Sequence, residues 1–193
     1  MEPSEIPKKQ HQPKRSKLKA PHTEELVDHY WGSISYVTSL IKASELKAGL
    51  ILSFYGILLN FMYQGAGTLL ESGSSDMALY ILVGLWLGCT VISIYFCIRC
   101  FIPKMEGKFR PNVFYFGDVI SKFGDVKEFS QTFYKVSLDE KELFAQLGEQ
   151  IFINSKIAAW KFKNVKHAIS FLGIGLVLLL ASLGYYGLSL INA

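Results

Sequence analysis

The chain has 193 residues, half of them apolar, with aromatics at 14% and a formal net charge of +4. That length allows one domain, or a small domain beside a membrane part. The mild average charge hides a strong pattern along the chain and gives no reason to expect a nucleic-acid polymer as a partner.

Residues 1–22 are rich in Lys, Pro, Gln and Ser and nearly lack large apolar residues, so a disordered basic tail is expected, either solvated or resting on anionic headgroups. No secretory signal is expected, because the first apolar run begins only near residue 48. From residue 23 to 46 an amphipathic helix is expected. Leu26, Tyr30, Ile34, Val37 and Ile41 recur at three- and four-residue steps, with Thr23 as N-cap and Glu24 and Glu25 in the first turn. It leads into the first apolar run with at most a small break near Ser44.

Three stretches carry no charged side chain, and the spans they predict cover residues 48–70, 77–101 and 168–191. Each has about 20 residues or more, enough for a helix to cross the ~30 Å core of a bilayer. The first is diluted by Gln64, Gly65, Gly67 and Thr68, and a buried or interfacial helix is its alternative. All three cysteines, Cys89, Cys97 and Cys100, fall in or at the end of the second span. Their neighbours Phe96, Ile98 and Phe101 point to packing rather than a metal or redox site.

Residues 102–167 form a long polar segment between the second and third spans. Pro103 ends the second span. The run Val113 to Phe116 reads as a strand or an extended turn, and Gly117-Asp118 as a turn or the cap of a short helix from Val119 to Phe123. From Leu138 to Lys166 a second amphipathic helix is expected, with Leu143, Leu147, Ile151, Asn154, Ala158 and Phe162 on one face. No Gly or Pro lies between Glu149 and Ser170, so this helix can run unbroken into the third span.

The charge distribution sets an expected orientation. Of the 20 Lys and Arg, eight precede or border the first span and twelve lie between Arg99 and Lys166. None lies in the loop from Glu71 to Asp76 or after the third span. With three spans, all of them fall on one side, which the positive-inside rule makes cytoplasmic, with the C-terminus outside. The expected fold class is an all-α membrane protein, three transmembrane helices with a helical cytoplasmic module. The four histidines, His11, His22, His29 and His167, have no carboxylate or cysteine at metal spacing. P-loop, G-x-S-x-G and G-x-G-x-x-G motifs are absent. The expectation is a protein that is not an enzyme and uses no metal or cofactor.

Three segments resemble the Pycsar transmembrane effector family, in order and spacing: Ala43-Ser44-Glu45-Leu46-Lys47-Ala48; Pro111-Asn112-Val113-Phe114-Tyr115-Phe116-Gly117-Asp118; and Gln150-Ile151-Phe152-Ile153-Asn154-Ser155-Lys156-Ile157-Ala158 with Lys161, Phe162, Val165 and Ala168. Glu45 stands where the family usually has Asp. The resemblance implies a bacterial anti-phage effector of the inner membrane. It responds to cyclic CMP (cCMP) or cyclic UMP (cUMP) made on infection and impairs the membrane, arresting growth or killing the cell.

A receptor for such a nucleotide needs a cation for the phosphate, polar groups for the base edge and an aromatic wall. The candidates are Arg110 and Lys161 for the phosphate, Asn112 and Asn154 for the base edge, Phe114 or Phe116 for stacking, and Asp118 for the ribose hydroxyl. Each has an ordinary alternative, with Arg110 and Lys161 as headgroup anchors, Asn112 as a turn residue and the aromatics as core or interface belt. Small residues along the spans, among them Gly84, Gly88, Gly173, Gly175, Ala181, Gly184 and Gly187, permit close packing and a homo-oligomer in the lipid bilayer. A membrane adaptor that recruits a protein partner, without nucleotide binding, is the alternative from another class. A small channel is disfavoured by the uncharged spans.

Overall fold

A computed structural model describes residues 20–71, 77–102 and 110–191. Residues 1–19, most of the expected tail, lie outside the described residues, as do the 72–76 loop and the chain from Pro103 to Phe109. The order is α1 (Ala20–Glu71), α2 (Met77–Phe101), α3 (Phe116–Ser121), α4 (Val126–Leu138) and α5 (Glu140–Ile191). No strand occurs among the described residues. Helices α1, α2 and α5 are each long and apolar enough to cross a membrane.

Helices α1 and α5 hold 52 residues each. At 1.5 Å per residue each is about 78 Å long, more than twice a bilayer core. Neither breaks where its polar part meets its apolar part. The hydroxyl of Ser44, where at most a small break was expected, donates to the Leu40 carbonyl one turn back at 3.0 Å, and the helix continues. Helix α1 starts at Ala20, so residues 20–22 are helical and Thr23 lies inside the first turn rather than capping it. Its hydroxyl instead donates to Glu140 Oε1 at 3.1 Å, tying the starts of α1 and α5 together.

That contact, the Tyr30–Phe144 ring pair at 5.3 Å and the Lys161–Glu45 ion pair set α1 and α5 parallel and in step. Helix α2 runs antiparallel to both. Ser93 Oγ donates to the Ala168 carbonyl at 2.8 Å, and Gly175 lies against Cys89 and Trp86. A Cβ on Gly175 would sit 3.6 Å from Cys89 Cβ, in ordinary van der Waals contact across the α2–α5 seam. The core of the three-helix part is Ala48, Ile51, Tyr55, Cys97, Cys100, Val165 and Ala168. The cysteines are free, and Cys97 and Cys100 are fully buried in that core.

Past the end of α2, α1 and α5 continue together as a two-helix stalk. Its seam holds Ile34, Leu147, Ile153 and Ala158, all buried, and the Tyr30 ring lies beside Gly148 of α5. Residues 110–138 fold back on this stalk. Val113 and Phe114 form a turn rather than a strand, because the chain's polar groups there bond to side chains instead of a neighbouring strand. Helix α3 starts at Phe116, three residues before the expected start, with Tyr115 at its N-cap and Asp118 in its first turn. Helix α4, which the sequence reading had not assigned, is capped by Asp125, whose carboxylate accepts from Glu128 N at 2.7 Å. Asp139 then separates α4 from α5 and caps the latter, accepting from the amides of Lys141 and Glu142.

Candidate functional site

Two polar constellations stand out, about four turns apart along α5. The first docks the turn before α3 onto the stalk. Asn112 is fully buried and bonds in three directions. Its amide nitrogen Nδ2 donates to the Gln146 carbonyl at 2.8 Å, Oδ1 accepts from Phe114 N at 2.8 Å, and its backbone N–H donates to Asp118 Oδ2 at 3.0 Å. Gln146 replies through its side chain, accepting from Val113 N at 3.0 Å while donating to Glu142 at 3.0 Å. Asp118 is buried, and its second oxygen pairs with Lys122 at 2.9 Å. Buried polar groups are costly unless satisfied, so this closed network fixes the turn in one geometry.

The rest of the dock is aromatic. Phe114 meets Trp31 of α1 edge-on at 5.8 Å and Phe133 of α4 at 5.6 Å. The chain of rings continues through Phe129 to Phe123. Burial, and then the charge of Asp118, raise the Tyr115 phenol above its usual value. A Cβ on Gly117 would come within 2.6 Å of the Tyr115 ring, which is why a glycine fits there.

The second constellation joins all three long helices. Lys161 of α5 is 3% exposed. Its Nζ donates to Glu45 Oε1 of α1 at 2.7 Å and to the Cys100 carbonyl of α2 at 2.6 Å. Carbonyls in a helix's last turn lack an intrahelical partner and carry the negative end of the dipole, so an ammonium suits this position. Glu45 keeps 39% of its side chain exposed, so the ion pair sits at the margin of water rather than in a sealed interior.

The seven candidate residues therefore do not converge. Arg110, Asn112, Phe114, Phe116 and Asp118 share the dock. Asn112 and Asp118 are engaged within it, whereas Arg110 is exposed and Phe116 is 81% exposed. Asn154 lies two turns further along α5, buried, accepting from Gln150 at 3.4 Å. Lys161 is 15 residues beyond Gln146, about 22 Å along the axis, and is held by Glu45 and Cys100. Sequence reasoning missed Gln146 and the Lys161 partners. Gln146 adjoins Leu147 of the apolar stripe, and nothing in its spacing marks it as a contact of the turn. Among the described residues no His, Cys, Asp or Glu cluster is arranged to hold a metal ion.

Residues 29–188 match the Pycsar effector protein domain, which covers both constellations and all three long helices. The chain belongs to the Pycsar effector family. Membership supports a role in Pycsar anti-phage defence and implies a cyclic nucleotide signal. No curated protein and no solved structure matches the chain. The domain begins within the first turns of α1, so stalk and apolar bundle are one family unit rather than a soluble domain with an added anchor.

Proposed function

We propose that this effector senses a cyclic pyrimidine nucleotide, cCMP or cUMP, in the cytoplasm and in response impairs the integrity of the inner membrane, acting without catalysis and as a homo-oligomer. The stalk and the dock form the cytoplasmic part, and the three-helix part spans the membrane with the C-terminus outside. The segregation of Lys and Arg supports that orientation. The observation that carries the reading is the hydrogen-bonded dock of residues 112–118 on α5, the same helix that becomes the third span. A ligand that alters the dock acts directly on that span.

Within the dock, Asn112 and Asp118 shape the turn, which leaves Arg110 as the phosphate cation and the exposed Phe116 ring as the stacking surface. Asn154 and Lys161 serve the connection between dock and spans. Gly84 and Gly88, one turn apart on α2, have nothing within 4 Å of where a Cβ would be, so a second copy can approach that face closely.

Isothermal titration with cCMP and cUMP tests the sensing. Arg110→Ala is expected to weaken binding about ten-fold, the worth of one charge-assisted hydrogen bond. Unchanged affinity removes the phosphate assignment. Liposomes carrying the effector should release dye only when the nucleotide is added, and leakage indifferent to it contradicts gating.

A second reading has its own support. Phe116, Ile120 and Val126 are 81%, 72% and 82% exposed, an apolar surface suited to a protein partner. An adaptor would give no heat with either nucleotide.

A further inference from the structure

We infer that the groove between α2 and α5 beside Arg99 is a headgroup site for an anionic phospholipid. Arg99 lies in the last turn of α2, at the edge of its charge-free run, and Lys166 is the last lysine before the charge-free part of α5. The groove therefore stands where the bundle changes from polar to apolar, the level at which headgroups lie. Here the Arg99 guanidinium is 5.7 Å from the centre of the Tyr95 ring and 5.6 Å from that of Trp160, bracing it across both helices. Arg99 has no carboxylate partner and no side-chain hydrogen bond among the described residues. Contact with ring faces leaves the donors of its planar fork for a phosphate, which accepts two of them side by side.

The surroundings favour the same ligand. Lys156 and Lys163 lie four residues before and three after Trp160, on the same flank of α5, and both are exposed. Lys156 Nζ stands 4.8 Å from the centre of the Phe152 ring. Around this level, in residues 43–47, 95–102 and 156–167, the single carboxylate is Glu45, and Lys161 already neutralises it. Four further cations, Lys47, Arg99, Lys163 and Lys166, have no carboxylate in these segments to oppose them. This collar is complementary to a negative surface.

A soluble anion would use only the cations, but the groove continues past them as an apolar strip. Ile92, seven residues before Arg99, is 40% exposed, and Ile174, 11 residues after Lys163, is 52% exposed. Both spacings are close to whole helical turns, so each isoleucine lies below its cation on the same flank. Tyr95 and Trp160 have the amphipathic rings that favour the interface between them. A phosphate above and an acyl chain below is the chemistry of a phospholipid, and the excess of positive charge in these segments selects an anionic one.

The test uses the full chain purified in neutral detergent, with bound lipid counted by native mass spectrometry. Phosphatidylglycerol, phosphatidylcholine and glycerol phosphate are titrated separately, and no cyclic nucleotide is needed. Phosphatidylglycerol is expected to bind at least about five-fold more tightly than phosphatidylcholine. Arg99→Gln and Lys163→Gln should each weaken phosphatidylglycerol about five-fold, with Lys135→Gln on α4 unchanged. Lys163 is exposed, so its variant keeps the fold even if Arg99→Gln disturbs it. Three results would each overturn the site: equal binding of the two lipids, wild-type affinity in the Lys163→Gln variant, or displacement of phosphatidylglycerol by equimolar glycerol phosphate, which would mean that a free phosphate suffices.

Discussion

Lys161 shows how far a residue's role depends on partners distant in sequence. Its ammonium is nearly out of water, yet it meets a carboxylate 116 residues earlier and a helix-end carbonyl 61 residues earlier. Replacing it with Met would leave Glu45 without its counter-charge and the Cys100 carbonyl without a donor. Glu45 keeps contact with water, so the loss is smaller than for a sealed pair. A destabilisation of about 2–3 kcal/mol is expected for Lys161→Met, read as a lower midpoint for thermal loss of helicity in detergent. Lys161→Arg, which keeps the charge, should recover part of it. In the sequence, Lys161 looked like a cation waiting for a phosphate. Its charge is visible there, but a backbone carbonyl has no sequence signature, and Glu45 was legible only as part of a familiar segment. Asn112 and Asp118 were singled out as contacts for a base edge and a ribose hydroxyl. Their capacity for hydrogen bonding could be read, but not that the turn itself would use it.

At the scale of elements, legibility follows the length of the pattern. The three long apolar helices could be read because about 20 residues without a charge leave no polar face for water. Helix α4 has only 13 residues and a mixed surface, with Phe129, Phe133 and Val136 spaced for one face among charged neighbours. Its clearest signal is the pair Asp125 and Glu128, in which Asp125 caps the helix and the Glu128 carboxylate accepts from Gly124 N at 3.0 Å. Asp125→Ala removes the cap and should destabilise α4 by about 1 kcal/mol. Hydrogen exchange resolves this locally, because the first-turn amides of α4 should exchange faster while those of the α5 core stay protected. The start of α3 was misjudged because Gly117-Asp118 resembles a cap. Asp118 instead accepts from Asn112 N, which frees Phe116 and Gly117 to enter the helix.

At the scale of the molecule, the decisive property is that two helices of 52 residues run in step from the dock into the apolar bundle. A helix transmits displacement along its axis only while its hydrogen-bond ladder is intact. Between Gln146, which holds the dock, and Lys161, which gathers the three long helices, α5 offers Ser155 as an exposed position. Proline there removes one backbone donor and clashes with the carbonyl four residues back, kinking the rod at a cost of about 3 kcal/mol. The dock lies on the near side of the kink and the Lys161 contacts on the far side. Ser155→Pro should therefore bind cyclic nucleotide within about two-fold of wild type, since 0.4 kcal/mol or less reaches the dock. Nucleotide-triggered dye release from liposomes should fall at least about ten-fold, as the far part of α5 no longer follows the near part. Undiminished release would show that α1, or contacts between copies, carries the signal instead. Lost binding together with lost release would mean that the dock needs an unbroken α5 beneath it, making sensing and transmission properties of one continuous helix.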